Sequence, residues 1–358
     1  MTKVHNFSAG PSILPDSAIQ ESIKGLQNFK GTHLPVVSVS HRSPEWEEVM
    51  NDAVHLVKKL LNVPEGYEVL FLQGGASTQF MQVAFNFISE EQPGAYLNTG
   101  TWSKKAIKEA KLFGKVNVVA SSEDKNFNYI PKDYSTPSHK NAYFHITTNN
   151  TIFGTQIKSI PNADCPIIAD MSSDIFSRPI DVSKFSLIYA GAQKNMGPAG
   201  VTLVIAKKEF IAKRSRSVPS MMNYELMASK GSMFNTPPVF PIYLSYLTLK
   251  WVEEQGGLAA IEKRNQEKAD LIYDEIDRNP LFEGTAAKED RSHMNATFVA
   301  KNEAHHDAFM AMTKAKNLSG LKGHRSVGGF RASIYNALPL ESVQALVSAM
   351  QEFSKENA

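Results

Sequence analysis

The 358-residue chain balances 38 Lys and Arg against 36 Asp and Glu, a formal charge of +2, and is 42% hydrophobic. That mixture suits a globular protein long enough for two domains, and the near-neutral balance gives no general argument for a nucleic-acid partner. The lone cysteine, Cys165, excludes an intrachain disulfide framework and a Cys-rich zinc module. The opening MTKVHNFSAGPSILP has no apolar core of a targeting signal, and no run nears the roughly 20 residues of a membrane span, so a cytoplasmic protein with no membrane partner is expected.

In chain order, residues 43–62 predict a helix, with Ser43 as cap, Pro44 in the first turn and Trp46, Val49, Met50, Ala53, Val54, Val57 and Leu61 on one face. EVLFL (68–72) is a short apolar run suited to a strand buried on both faces. It leads through QGGAST into a helix whose Phe80, Val83, Ala84, Phe87 and Ile88 recur at helical spacing. The runs at 94–98, 115–121, 141–147, 166–170, 187–190 and 201–206 predict further buried strands, with a helix in SKKAIKEAKLFG. Buried strands alternating with helices predict an α/β fold with a largely parallel sheet. The last two runs are too close for a helical crossover and predict one antiparallel pair. Beyond residue 256 a long helix, a strand at 295–300, a helix, a strand at 328–337 and a final helix predict a smaller α+β domain, with a boundary near residue 260.

The turn between that last pair of runs, GAQKNMGPAG (191–200), holds Lys194. A phosphate loop requires lysine after the second glycine followed by Ser or Thr. Here Lys194 precedes Gly197 and Asn195 follows it, so that reading fails on spacing. An idle hairpin-tip lysine is the ordinary alternative, but PIIAD places Asp170 at the end of a buried-looking strand, and strand ends line the ligand crevice of an open α/β sheet. Such a Lys and Asp suit pyridoxal phosphate: the amine can condense with the aldehyde while the acid keeps the ring nitrogen protonated. QGGASTQF offers backbone N–H groups at a helix start for the cofactor phosphate, with Ser77 and Thr78 hydroxyls beside them. Trp102, just after a strand, can stack on the ring, and Thr151 can donate to its oxygen; taken singly, these two read as a core tryptophan and a loop threonine.

FSAGP (7–11), HRS (41–43), GGAS (74–77), GTWS (100–103), GAQKNMGPAG (191–200), FNTPP (234–238) and GHRSVGGFRASIYNA (323–337) together resemble the phosphoserine aminotransferase family of class V pyridoxal-phosphate enzymes, in the family's order from residue 7 to the last helix. The resemblance implies the type I aminotransferase fold, with a large cofactor domain over 16–260, built on a mostly parallel mixed sheet flanked by helices, and a small α+β domain from 1–15 and 261–358. It implies that Lys194 carries the cofactor, Asp170 pairs with its ring nitrogen, Trp102 stacks on it and Thr151 bonds its hydroxyl. Ala76, Ser77 and Gln193 would hold its phosphate, joined by Asn235 and Thr236 from the partner subunit of a homodimer. Arg331, with Ser8 nearby, would take the substrate α-carboxylate, and His41, Arg42, His324 and Arg325 the phosphate or distal carboxylate. Some members carry Gly-Arg where this chain has Ala76-Ser77, which leaves the phosphate donors open.

The implied reaction is a ping-pong transamination interconverting O-phospho-L-serine plus 2-oxoglutarate with 3-phosphohydroxypyruvate plus L-glutamate, a step of serine biosynthesis. A longer phosphorylated 2-oxo acid on the way to pyridoxine stays open as a substrate. The charge argument agrees: a phosphate near −2 and a carboxylate call for several cations, and arginine's planar fork suits both. Aminotransferases acting on alanine, serine or glyoxylate would leave four of those basic residues surplus, and a cysteine desulfurase would need a mobile nucleophile where Cys165 reads as an inert buried thiol. A non-catalytic cofactor-binding protein of the same fold is the remaining alternative. The basic run 207–217 reads as solvated helix and loop, the Met221-Met222 pair as core or interface filler, and the adjacent His305 and His306 cannot share a helix face as zinc ligands. No metal is expected.

Overall fold

The computed structural model describes residues 3–357. Positions 1, 2 and 358, which the expected small domain includes, lie outside the described residues. A seven-stranded sheet forms the centre: β1 (Tyr67–Leu72), β2 (Gly94–Asn98), β3 (Val116–Ser121), β4 (Tyr143–Thr147), β5 (Ile167–Asp170), β6 (Leu187–Gly191) and β7 (Thr202–Lys207). Their spatial order is β1-β7-β6-β5-β4-β2-β3. Only β7 runs antiparallel, pairing Leu203 with Ala190 on one side and with Phe71 on the other. The expected antiparallel pair is therefore present, because the short turn at 192–201 can reverse the chain but cannot carry a crossover helix.

Helix Pro44–Leu60 begins where the Ser43 hydroxyl accepts from the Trp46 N–H at 3.4 Å, and it buries Trp46, Val49, Met50, Ala53, Leu56 and Val57. With Val69, Phe71, Ile188 and Leu203 these side chains form the apolar layer on one sheet face. Helices Gly75–Phe87 and Thr101–Ala110 cover the other face, packing Phe80, Val83, Phe87 and Ile107 on Leu70, Tyr96, Tyr189 and Val204. Each large apolar side chain so buried contributes roughly 1.5–3 kcal/mol, so the two layers hold the strand ends in place.

The strand at 116–121 departs from the expected burial. β3 is the sheet edge, and Val118 is 47% exposed, because nothing pairs beyond it. The basic run at 207–217 is less solvated than its composition suggests: Phe210 and Ile211 are buried, and the Arg216 guanidinium donates to the carbonyls of Ile88 and Phe113. Met221 is 47% exposed rather than core.

A separate apolar cluster joins Phe7, Ala269, Ile272, Phe282, Phe298, Phe309, Phe330, Leu346 and Phe353. It packs helices Gly257–Arg278, His305–Ala315 and Leu340–Asn357 around a three-stranded antiparallel sheet, Phe282–Gly284, Asn295–Ala300 and Phe330–Ser333. The last strand is shorter than the 328–337 expected, since residues 334–337 turn away from it. The N-terminal segment enters this cluster through Phe7, and His5–Asn6 pairs in parallel with Leu318–Ser319. Helix Gly257–Arg278 spans both regions, with Leu258 and Ile261 in the large core and Ala269, Ile272 and Ile276 in the small one. Among the described residues, no helix is long and apolar enough to cross a membrane.

Candidate active site

The strands parallel to one another deliver their C-terminal ends to one edge of the sheet, as open α/β folds do for ligands. There β4 ends at Thr147, β5 at Asp170 and β6 at Gly191, three residues before Lys194. A cavity of about 140 Å³ is lined by Gly75, Ala76, Ser77, Trp102, Asp170, Gln193 and Lys194, with Phe80, Thr147, Asn149, Ser172 and Ser173 completing its wall. Six of the residues read from the sequence as cofactor-binding thus meet in one chamber.

Lys194 is buried, and its Nζ donates to Thr151 Oγ1 at 2.7 Å. Desolvation pushes the amine down to about 8, against the favourable charge of Asp170. The turn is held from several sides. Gly197 packs so closely on helix Val239–Glu254 that a β-carbon there would sit 2.1 Å from Ser245 Oγ. The glycine therefore serves close contact with that helix. Ser12 donates through Oγ to the Lys194 carbonyl and through its backbone N–H to Gln193 O, so the N-terminal segment closes over the turn. Asn195 accepts from the Asn336 N–H at 3.0 Å, which ties the lysine turn to the segment following the Arg331 strand.

Asp170 is buried at 4% exposure, and burial pushes its carboxyl above the ordinary value, opposed by two bonds from Ser172 and by the Lys194 charge. Both Ser172 bonds, from N at 2.9 Å and Oγ at 2.6 Å, fall on Oδ1. No bond among the described residues reaches Oδ2. Two further buried polar atoms on this wall lack partners, Trp102 Nε1 and Thr147 Oγ1. Unsatisfied buried groups cost about 1–3 kcal/mol each; the indole N–H calls for an acceptor, and the unbonded Oδ2 of the desolvated carboxylate calls for a cationic N–H. A protonated pyridine ring fits that requirement.

Trp102 sits in the first turn of helix Thr101–Ala110, which Ser103 fastens by accepting from the Thr99 and Gly100 N–H groups at 2.9 Å. The indole is half-buried, with its ring centroid 5.4 Å from Lys194 Nζ. Opposite, Gly74 adopts φ 94° and leaves room for Thr78 Oγ1, which donates to the Gly74 carbonyl at 2.9 Å. A β-carbon at Gly74 would collide with that hydroxyl at 2.1 Å. The turn so made aims the first N–H groups of helix Gly75–Phe87 into the chamber, an anion site of the kind phosphates occupy.

The remaining expected residues divide. Arg331 is half-buried on the strand Phe330–Ser333, with Nε buried and unpartnered. Desolvation lowers it, and its charge is felt at Lys194. The residue after Phe7 is Ser8, on the segment whose Phe7 carbonyl accepts from Ser333 N at 3.3 Å. The His324 imidazole, in the loop before that strand, is lowered first by burial and then by Arg331 and Arg325. A single chain does not bring His41 or Arg42 to the chamber; they precede helix Pro44–Leu60, with Arg42 exposed. Asn235 lines a different cavity with Gly74 and Thr78, and the Thr236 carbonyl accepts from Gln73 Nε2 at 3.0 Å. Cys165 is buried, and burial pushes its thiol up to about 11, which leaves it unreactive.

Sequence reasoning did not single out Asn149, Ser172, Ser173 or Ser12. For the two serines a signal existed, since MSSD follows Asp170 directly and a carboxylate at a strand end is often held by the next turn.

This fold and chamber are those of a pyridoxal-phosphate transaminase. The aminotransferase class-V family model matches residues 4–346, and the chain belongs to that family. Over 356 residues it is 58% identical to the phosphoserine aminotransferase of Bacteroides thetaiotaomicron, covering 99% of both chains. The structure of phosphoserine aminotransferase from Bacillus circulans subsp. alkalophilus superposes with a TM-score of 0.97 at 44% identity, covering 99% of each. The pyridoxal-phosphate-bound phosphoserine aminotransferase of Trichomonas vaginalis gives 0.93 at 40% identity, covering 98% of this chain and all of that one.

Proposed function

We propose that the chain transfers the amino group between O-phospho-L-serine and 2-oxoglutarate, forming 3-phosphohydroxypyruvate and L-glutamate, with pyridoxal phosphate as cofactor. The observation that carries this is the buried Lys194 amine sharing one chamber with a buried Asp170 whose Oδ2 is free. Names and high identity of the full-length relatives supply the substrate.

When bound, pyridoxal phosphate supplies a carbonyl that accepts the amino group and a ring that draws electrons from the α-carbon. The chain does the rest. Asp170 would keep positive charge on the ring nitrogen, Trp102 would cover the ring and exclude water, and Thr151 would donate to its oxygen. The N–H groups at Ala76 and Ser77, with Gln193, hold the phosphate. Arg331 fixes the substrate α-carboxylate, with Ser8 beside it, so that the α-proton faces Lys194. The Lys194 amine, neutral, would take that proton as a general base and, once protonated, would give it back as a general acid.

The working form is a homodimer in this reading. His41, Arg42, Asn235 and Thr236 then act in a chamber other than their own chain's, which accounts for their distance from Lys194 here, with Asn235 and Thr236 reaching the cofactor phosphate. His324 and Arg325 face the substrate phosphate or distal carboxylate. The division near residue 260, with residues 1–15 joined to the smaller domain, is supported by the two separate apolar clusters.

A glutamate-dependent coupled assay on 3-phosphohydroxypyruvate tests the function. Phosphoserine should exceed serine in kcat/KM by at least about 10²-fold, because the charge-assisted bonds of several cations to the phosphate are lost with the unphosphorylated substrate. Equal use of the two overturns the substrate reading. The lysine provides a pH test. Only the neutral amine adds to an aldehyde, and with Lys194 lowered to about 8 its neutral fraction rises through that pH rather than the ordinary 10.5. Uptake of pyridoxal phosphate by the cofactor-free chain should therefore accelerate between about pH 7 and about pH 9 and then level. A rate still climbing beyond pH 10.5 contradicts a depressed lysine.

A further inference from the structure

Helix Thr101–Ala110 carries two adjacent lysines in different company. Lys104 is paired with Glu123 at 2.5 Å. Lys105 has no acidic partner; its ammonium lies 4.6 Å from the centroid of the Trp102 ring, the same ring that has the Lys194 amine at 5.4 Å. No ion pair among the described residues involves Lys105, Arg325 or Arg331. Lys105 thus adds an unanswered cation beside Trp102, a wall of the chamber in which the Arg331 charge is already felt at Lys194. The Lys105 charge is also felt at His324, whose imidazole is lowered first by burial, then by Arg331 and Arg325, and last by Lys105. Like charges held together in this way repel until an anion completes the set.

We propose that Lys105 is a specificity-determining residue whose ammonium, held against the Trp102 indole, contacts the phosphate of the incoming amino acid. Cation–π contact holds the ammonium on the indole, which forms part of the chamber wall, and its charge is felt at His324, the residue set at the substrate phosphate in the reading above. The inference rests on the phosphoserine reading above. It deepens that reading by adding one residue of this chain to the discrimination between phosphorylated and unphosphorylated amino acids.

Steady-state kinetics of the cofactor-loaded enzyme test it with K105M, which keeps an apolar stem on the indole, and K105R, which restores the charge. K105M should raise KM for phosphoserine about five- to tenfold, leave kcat within about twofold, and weaken competition by inorganic phosphate by a similar factor. KM for serine should move by less than about twofold, and K105R should recover most of the loss. A lysine that only packs on the indole would shift both substrates alike or neither, and either result overturns the proposal. If the unaltered enzyme does not use phosphoserine, the functional reading falls and this inference with it. If it does, and K105M keeps its KM, only the role of Lys105 falls.

Discussion

Lys194→Ala is expected to lower transamination of phosphoserine by on the order of 10⁴-fold and to abolish the visible absorption of a lysine-bound cofactor. In the proposed mechanism the variant loses both the group that would hold the cofactor and the base that would move the α-proton, and general acid–base catalysis alone is worth about 10²–10⁴-fold. No neighbour can substitute. The amine is aimed by its bond to Thr151 and by Gly10 against its stem, where a β-carbon would lie 3.3 Å from Lys194 Cγ. Lys105, the other amine on Trp102, is exposed. Burial disfavours the charged form of Lys194, so alanine relieves a desolvation cost and the variant should stay folded by thermal melting. Turnover within about tenfold of the parent would remove Lys194 from the mechanism.

Asp170→Asn should reduce kcat by about 10²–10³-fold with a smaller effect on KM, the range found when one preorganised charge or donor is removed from a reacting centre. An amide has nearly the same shape, and its oxygen can still accept from Ser172 N and Oγ at the Oδ1 position. What it cannot do is carry negative charge at the position of the free Oδ2. The comparison therefore isolates electrostatics from packing. Retention of the cofactor, measured by dialysis and absorbance, should fall in parallel. An Asn variant with parental kcat would show that the carboxylate only closes the turn with Ser172.

Helix Pro44–Leu60 and the strand ending at Asp170 were legible because their signals are local. Helix Pro44–Leu60 announces itself by Ser43, Pro44 and a 3.6-residue apolar rhythm, and Leu56 alone was added to the buried face inside it. Asp170 was readable because PIIAD is too short and too apolar for anything but a buried strand, and the chain must leave such a strand at a polar residue. The edge position of β3 was not readable: KVNVVAS looks as apolar as its neighbours, and exposure follows from strand order, which no single segment encodes. Arg216 fails for the same reason, as its carbonyl partners at Ile88 and Phe113 are more than a hundred residues away.

Spacing and periodicity set the strands, the helices, the lysine turn and the carboxylate, since each depends on residues within a turn or two of one another. Convergence needed the folded chain. Ser12 reaches Lys194 across 182 residues, Asn336 reaches Asn195 across 141, and Trp102 meets the same amine from a third segment. The sheet order brings Thr147, Asp170 and Gly191 to one edge, where burial, joined by the Arg331 charge, lowers the lysine and burial leaves the aspartate seeking a cation. Residue type comes from the local code, but reactivity comes from desolvation, which is a property of everything packed around the site.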